Sequence, residues 1–233
     1  MRYAVNVSLL ETFNRYLHDR CTMQQLKDTA FKASEATQYM DLGTAFHAVL
    51  EDPEAHRYTI TNDESVREYY GVDGMLAMTE ETVNQALVHV PVLGSRELTG
   101  KSRWRMPDGN DLVVTMRLDH LLGSRVIDHK SKWSQPPNDY QLGRTVEQYL
   151  DSMQGLYYIH AFQCDSVQYV IYWMNYQYPL AEIEHIQTVT LTAPDNLVQL
   201  LQHHAEHFYE WAGNVGLLPS MITRAERTTV DEF

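Results

Sequence analysis

Two acids and a lysine lie at short spacing in the middle of this chain. Asp119 precedes Asp128 by nine residues, and Lys130 follows Asp128 at the second position. Gly123-Ser124, between the acids, is a turn signal and predicts a hairpin. In such a hairpin the two acids can approach each other, while Asp128 and Lys130 lie on the same face of one strand. The spacing therefore predicts that two carboxylates and an ammonium group converge.

These side chains have the chemistry of a metal site. Mg²⁺ prefers oxygen ligands and keeps several waters, and a bound metal ion polarises a phosphoryl group and lowers the pKa of an attacking water. Lys130 is suited to orient that water or to neutralise charge that develops in the transition state. We expect Mg²⁺ as the cofactor, with Mn²⁺ as a substitute. Because an Asp-x-Lys sequence is also common on solvated strand surfaces, the rest of the chain has to support this interpretation.

The charge distribution bears on the partner. The 233 residues include 18 basic and 31 acidic side chains, and the formal net charge of −13 opposes phosphate binding. Between positions 96 and 132, however, there are eight basic and five acidic residues, against ten and 26 in the rest of the chain. The net-positive stretch is thus the one that contains the suspected site, which weakens this objection to a nucleic-acid partner. Four side chains are predicted to contact DNA phosphates: Arg103, Arg105, Lys132 and Arg144.

Helical periodicity predominates in the first part of the chain. Apolar spacing and capping signals predict four helices, at Val7–His18, Met23–Ala36, Leu42–Glu51 with Asp41 as its N-cap, and Thr79–His89. His47 and Glu51 are four residues apart and share a helix face, so Glu51 is either a partner of His47 or a surface residue before the helix end. The stretch from Glu54 to Gly74 is polar and shows little periodicity.

After Pro91 the pattern has a period of two, which is typical of strands. Strands are predicted at Glu97–Arg105, Leu112–His120, Arg125–Ser131, Ser166–Tyr176 and Ile186–Leu191, the first three as an antiparallel meander, with helices at Gln141–Phe162 and Asn196–Trp211. The fold class is therefore α/β, with a central mixed sheet, a meander that carries the site, and flanking helices. We expect one domain over 1–233: a helical part to about 90, a catalytic sheet and helix at about 94–192, a C-terminal helix at about 195–213, and a polar tail at 220–233.

Further residues on either side of the acids complete an ordered set. Helix residues supply Gly43-x-x-x-His47 upstream and Gln154-x-x-x-Tyr158 downstream. In this order the motifs resemble those of RecB-type nucleases of the PD-(D/E)XK superfamily, whose core is like that of restriction endonucleases. The sequence from Leu42 to Glu54 is especially similar to sequences of the RecE, or exonuclease VIII, branch of phage recombination nucleases. The resemblance covers roughly residues 8–162.

The resemblance implies a role for each matched position. It makes His47, Asp119 and Asp128 metal ligands, with the main-chain carbonyl of His129 as a further ligand and Lys130 as the catalytic lysine. It places Gln154 and Tyr158 on the DNA-facing side of the site. Glu97 resembles a further acid of some members, and a plain edge-strand glutamate is the alternative. Gly43 is expected where the helix approaches the sheet closely.

The resemblance also implies an activity, namely metal-dependent hydrolysis of DNA phosphodiesters in end resection for recombination or repair. Two alternatives remain at this point: a structure-selective or site-specific endonuclease on the same fold, and a catalytically silent DNA-binding module. Ring-like homo-oligomers occur in such exonucleases. The partners that the resemblance implies are therefore a second copy of the chain in a homo-oligomer and a single-strand annealing or recombinase protein. The residues at His129 and Ser131 differ from the types most common at these positions of the motif. This difference leaves the subfamily less defined but removes no metal ligand.

Composition limits the remaining possibilities. Cys21 and Cys164 are too few for a disulfide framework or an all-cysteine iron–sulfur cluster, and no such cluster is expected. No window approaches the roughly 18 apolar residues of a membrane span, and the N-terminus lacks an apolar signal region. We expect a cytoplasmic protein without a membrane partner, in a bacterial or phage-infected host cell.

Overall fold

The computed structural model describes residues 1–32, 38–62, 65–133 and 137–222, in which groups of helices and groups of strands follow one another along the chain. The helices are α1 (Val7–Leu17), α2 (Met23–Ala30), α3 (Gln38–Glu51), α4 (Glu80–Leu87), α5 (Asp139–Leu150), α6 (Met153–Phe162) and α7 (Leu197–Asn214). The strands are β1 (Arg2–Asn6), β2 (Arg57–Asn62), β3 (Ser65–Val72), β4 (Leu76–Met78), β5 (Ser95–Arg96), β6 (Thr99–Arg105), β7 (Asp111–Arg117), β8 (His120–Leu122), β9 (Arg125–Trp133), β10 (Ser166–Gln177) and β11 (Leu180–Thr192). None of the helices in these ranges is long and apolar enough to cross a membrane.

The described strands form two sheets. The larger has the order β2-β3-β4-β11-β10-β9-β8-β5, and the smaller has the order β1-β7-β6. The larger sheet is mixed, because β10 runs parallel to β9 and antiparallel to β11. Helices flank this sheet on both faces, which confirms the predicted α/β class with a central mixed sheet.

Two apolar cores lie on opposite faces of the larger sheet. Alternate residues of β10 point to each: Tyr169 and Ile171 belong to the core that α1, α6 and α7 cover, while Val170 and Tyr172 belong to the core under α3 and α4. A strand buried on both faces has a continuous apolar sequence, which is why this strand is recognisable from sequence.

The predicted meander is divided between the two sheets. The strand predicted over Leu112–His120 leaves the smaller sheet after Arg117 and enters the larger one as β8, and the strand predicted to begin at Glu97 divides into β5 and β6. The two strands bend together, since the Glu97 N–H donates to the Asp119 carbonyl at 2.9 Å and the Leu118 N–H donates to the Leu98 carbonyl at 3.0 Å. These hydrogen bonds keep the two strands paired through the bend. The period-two sequence pattern is therefore not interrupted there, and the sequence predicts unbroken strands.

Other predicted boundaries also differ from the structure. The N-terminal part is not only helical, because β1 comes first and the polar stretch after Glu54 forms the hairpin β2–β3 at the edge of the larger sheet. Asp41 lies inside the first turn of α3 and is not its N-cap. The end of the helix predicted to Ala36 and most of the tail after Ser220 lie outside the described residues.

The long helix predicted over Gln141–Phe162 is two helices. Helix α5 ends at Leu150, and Ser152 begins α6 as an N-cap whose side chain accepts from the Gly155 N–H at 3.2 Å. Ser152 has extended backbone angles (φ −70°, ψ 114°), which no helix interior permits. The break turns α6 onto the sheet beside the predicted site.

Candidate active site

The predicted residues meet at an edge of β9 that β8 leaves open. Pairing of β8 with β9 ends at His120 and Ile127, so among the described residues β9 has no strand partner on that side from Asp128 onward. Helices α3 and α6 lie on opposite faces of the sheet here, and a cavity of about 1210 Å³ opens at the edge. Seven predicted residues line this cavity: His47, Glu97, Asp119, Asp128, Lys130, Gln154 and Tyr158.

Asp119 lies at the bend where the ribbon passes from one sheet to the other. Its carboxylate accepts a hydrogen bond from the main-chain N–H of His129 at 2.7 Å. This N–H belongs to the open edge of β9, so the side chain takes the place of a missing strand partner. The bend and this bond together hold Asp119 beside Asp128.

Asp128 and Lys130 form a buried ion pair. The Lys130 Nζ lies 2.7 Å from Asp128 Oδ2, and the Asp128 side chain is only 2% exposed. Burial raises the pKa of Asp128 to about 7, with Lys130 opposing the shift and the negative charge of Asp119 adding to it. Burial acts to lower the pKa of Lys130, but Asp128 more than offsets this and holds that pKa well above its ordinary value. Lys130 is therefore a charged ammonium group at neutral pH.

His47 reaches the same point from α3. Its Nδ1 lies 3.9 Å from Asp119 Oδ2, and the main-chain carbonyl of His129 is close enough to affect its pKa. Burial lowers the pKa of His47, which favours the neutral imidazole that can act as a metal ligand. The His129 side chain points the other way, where its Nδ1 lies 3.0 Å from the Tyr172 hydroxyl. Only the main chain of His129 therefore faces the site.

The close approach of α3 to β9 that was expected at Gly43 does not require a glycine. A Cβ at Gly43 would lie 3.4 Å from Ser131 Oγ, which is an ordinary van der Waals contact. Since Gly43 also lines the cavity, a side chain there would narrow the cavity rather than displace the helix.

Gln154 and Tyr158 form one hydrogen-bonded chain on α6. The Gln154 Nε2 donates to the Tyr158 hydroxyl at 2.7 Å, and that hydroxyl donates to the main-chain carbonyl of Arg117 at 2.8 Å. Tyr158 is 1% exposed, and burial raises the pKa of its hydroxyl well above the ordinary value. Because Arg117 directly precedes the bend that carries Asp119, this chain fixes the wall of the site.

Glu97 has a left-handed backbone, with φ at +52°. Its carboxylate lies 2.8 Å from Arg117 Nε, and burial raises its pKa, with Arg117 opposing the shift and Glu51 and Asp119 adding to it. Non-glycine residues adopt such angles mainly where the surroundings enforce them. The structure thus gives Glu97 a place at the cavity and an arginine partner.

Glu11, a half-buried acid beside the site, was missed by the sequence analysis. Its carboxylate accepts from the Gln154 N–H at 2.9 Å and from the Ser152 hydroxyl at 3.2 Å, at the start of α6. Burial raises its pKa, while its hydrogen bonds and the nearby Lys130 oppose the shift. The only sequence signal is a polar stripe on α1 formed by Ser8, Glu11 and Arg15, at helical spacing.

The four predicted phosphate contacts do not line this cavity. Arg103 and Arg105 both pair with the carboxylate of Asp111 on the next strand. Lys132 and Arg144 line a separate pocket. Lys101, in contrast, lies on the cavity wall.

The donor set of the cavity is compatible with the expected metal ion. Among the described residues, no three His, Cys, Asp or Glu side chains are already close enough together to hold a metal. Mg²⁺ commonly takes one or two carboxylates and keeps several waters, whereas a closed zinc site needs four protein ligands. Asp128 Oδ2 is buried, and the Lys130 ammonium, 2.7 Å away, is its only close polar partner among the described residues. A buried carboxyl oxygen with spare acceptor capacity, beside a second acid, fits Mg²⁺ or Mn²⁺.

Known proteins resemble this chain in structure but not detectably in sequence. No protein-family model and no curated protein matches the sequence. A phage-related exonuclease from Haemophilus somnus overlaps with 89% of this chain over 82% of its own, with 11% identity and a TM-score of 0.45. LHK-Exo, an alkaline exonuclease from Laribacter hongkongensis, overlaps in its complex with dAMP over 97% of this chain and 93% of its own, with 12% identity and a TM-score of 0.41. At these values the assignment of the site depends on the chain's own residues.

Proposed function

We propose that this chain is a metal-dependent deoxyribonuclease of the PD-(D/E)XK type that degrades DNA from its ends. The observation that carries the proposal is the convergence of Asp119, Asp128 and Lys130 at the open edge of β9, with His47 beside them. Two acids and a charged lysine at one cavity are the groups that metal-assisted phosphodiester hydrolysis needs. The ordered motif resemblance supports the same activity.

Each residue has a role in this mechanism. Asp119 and Asp128, with His47 and the His129 carbonyl, would hold Mg²⁺ or Mn²⁺. The bound ion would supply Lewis acidity toward the phosphoryl oxygen and the water. The Lys130 ammonium group orients the attacking water and neutralises the negative charge that develops on the phosphoryl oxygens. Attack in line breaks the P–O3′ bond, so that the products carry a 5′-phosphate and a 3′-hydroxyl.

Supporting groups keep these atoms in place. Gln154 and Tyr158 hold the Arg117 carbonyl, and the neighbouring bend holds Asp119. Glu11 fixes the start of α6. Such supports matter because a small displacement of a reacting group lowers the rate steeply.

The proposal is tested by DNA degradation with and without Mg²⁺ or Mn²⁺. End-labelled linear duplex, closed circular duplex and single-stranded DNA are incubated with the wild type, with Lys130→Ala, and with Lys27→Ala as a control at an exposed lysine of α2. We expect metal-dependent loss of linear DNA by the wild type and the control but not by Lys130→Ala. The label released first gives the polarity.

Other outcomes decide between the alternatives. Cleavage of the closed circle would identify an endonuclease. If none of the substrates were cut in the presence of metal, a silent DNA-binding module would replace the proposal. Equal turnover by Lys130→Ala and the wild type would show that the site is assigned wrongly.

A further inference from the structure

A second pocket, of about 360 Å³, lies beside the candidate active site and is unusually basic for this acidic protein. We call it the Lys132 pocket, and the residues that matter here are Arg15, Arg20, Lys132, Arg144, Thr145 and Trp173. Four of them are cationic, and no carboxylate is among the described residues that line the pocket. In a chain with a formal net charge of −13, such a composition indicates a site for an anion.

The pocket has hydrogen-bond donors without acceptors. Arg15 Nε and Trp173 Nε1 are both buried and have no hydrogen-bond partner among the described atoms, and Trp173 as a whole is 4% exposed. Buried polar groups of folded proteins nearly always have a partner, so each orphaned donor requires an explanation. Both atoms are closed to solvent, so a ligand in the pocket would contact them only after these side chains shift.

The positive charges of the pocket are incompletely balanced. Arg20 pairs with Asp151 at 2.8 Å, whereas Arg15, Lys132 and Arg144 form no ion pair within the described part of the chain. The Lys132 ammonium donates to Thr145 Oγ1 at 3.1 Å and lies 5.0 Å from the Trp173 ring centre. Burial and then the nearby Arg15 lower its pKa. An anion in the pocket would relieve this crowding of like charges.

The pocket adjoins the catalytic cavity on the same face of the sheet. Lys130 and Lys132 are two residues apart on β9, or roughly 7 Å, and α1 contacts both sites, with Ser8 in the cavity and Arg15 in the pocket, roughly 10 Å apart along the helix. Glu11 lies between them. A strand of nucleic acid in the cavity would therefore bring a neighbouring phosphate to the Lys132 pocket.

We propose that the Lys132 pocket binds a phosphate group of the DNA strand held at the active site. The inference rests on the proposed nuclease function and adds a site to it. Guanidinium groups and a lysine around one cavity match the oxygens of a phosphate, which accept several charge-assisted hydrogen bonds. Free phosphate has the same chemistry, so the experiment has to separate the two sources.

DNA affinity in the absence of divalent metal tests the pocket independently of cleavage. A fluorescent single-stranded oligonucleotide is titrated with the wild type, Lys132→Gln, Arg144→Gln, and Arg67→Gln as a control at an exposed arginine of β3. We expect each pocket variant to weaken binding about tenfold and to lower the slope of log affinity against log salt by about one. The control should do neither. Arg144 is exposed, so its variant remains informative if Lys132→Gln fails to fold.

Failure of this inference is distinguishable from failure of the proposed function. If the wild type degrades DNA but both pocket variants bind like Arg67→Gln, the pocket proposal is overturned and the nuclease proposal stands. If DNA binding depends on Lys132 and Arg144 but the wild type cleaves no DNA, the nuclease proposal is overturned and the role of the pocket in DNA binding stands. Calorimetric binding of inorganic phosphate by a wild type that does not bind the oligonucleotide would assign the pocket to free phosphate and overturn the proposal.

Discussion

At the scale of single residues, the site is defined by carboxylate groups that are shielded from solvent. Asp128 is almost fully buried beside Lys130, and Asp119 is bonded to the neighbouring main chain. Burial raises the pKa of Asp128 to about 7, which shows that the one ammonium group does not fully stabilise its ionised form. A divalent cation between the acids would do so.

Metal affinity should therefore depend on pH around neutrality. The folded pKa of Asp128, about 7, lies above its ordinary value of 3.8, so the metal-free protein holds an extra proton between these values and loses stability as pH rises through them. Metal binding has to displace this proton. We expect Mn²⁺ affinity to increase by up to about tenfold per pH unit between pH 5 and 7 and then to level off, as measured by calorimetry.

Asp128→Asn provides the control, because an amide has no proton to exchange with the metal. Its residual Mn²⁺ affinity should vary much less across the same pH range. A wild-type affinity that is constant from pH 5 to 8 would contradict the role given to Asp128.

Glu11 should support the site as an acceptor rather than as a charge. Glu11→Ala removes the acceptor of the Gln154 N–H and Ser152 hydroxyl, so we expect a loss of about 1–3 kcal/mol in the free energy of unfolding. Glu11→Gln retains an acceptor oxygen and should lose less. Urea denaturation measures both variants, and equal losses would argue that the charge itself is what the fold requires.

At the scale of elements, the position of α6 depends on its contact with β10. Gly155 lies in the first turn of α6, and a Cβ there would come within 2.5 Å of Tyr169 Oη and 2.7 Å of Leu191 Cδ2. These distances are shorter than real side chains tolerate. A side chain at this position would therefore force the buried Tyr169 or Leu191 to shift, or α6 to move away from the sheet.

Gly155→Ala and Gly143→Ala should have opposite effects on stability. The first forces Tyr169 or the helix to move, and we expect a loss of about 1–3 kcal/mol. Gly143 lies in α5, and a Cβ added there would meet nothing within 4 Å, so alanine at this position should gain about 0.5–1 kcal/mol from helix propensity. Thermal and urea unfolding measure both. A stabilising Gly155→Ala would mean that α6 does not pack on β10 as described.

At the scale of the whole molecule, the two apolar cores are joined through one sheet. Neighbouring residues of β10 are buried in different cores, Ile171 in one and Tyr172 in the other. Losing either core would expose one face of the same strands. The active site lies at the edge of this sheet, so its geometry depends on both cores.

Unfolding should accordingly be a single cooperative transition. We expect the calorimetric and van 't Hoff enthalpies of the metal-free protein to agree, as they do for two-state domains. The Val170→Ala variant, which weakens only the core under α3 and α4, should lower the midpoint without splitting the transition. Two separate transitions would mean that the cores unfold independently, against the expectation of one domain.

The sequence by itself determined the order of the site residues and much of the secondary structure. Spacing of two along β9 fixes Asp128 and Lys130 on one face, and the apolar run of β10 identifies a strand buried on both sides. Helix α4, Glu80–Leu87, lies within the predicted helix, and Thr79, predicted as its first residue, is its N-cap. These features follow from contacts between residues near in sequence, where helix and strand periodicity constrains the side chains.

The tertiary structure alone decided what surrounds those residues. Glu11 and the Gln154 N–H are 143 positions apart, and Tyr158 contacts a carbonyl 41 positions away. The bend that splits the meander at Asp119 has no local sequence signal. The sequence named Lys132 and Arg144 as phosphate contacts but did not show that they share a pocket. Spacing along one element specifies which side chains share a face, but contacts between elements depend on how distant segments pack, and many packings are compatible with the same local pattern.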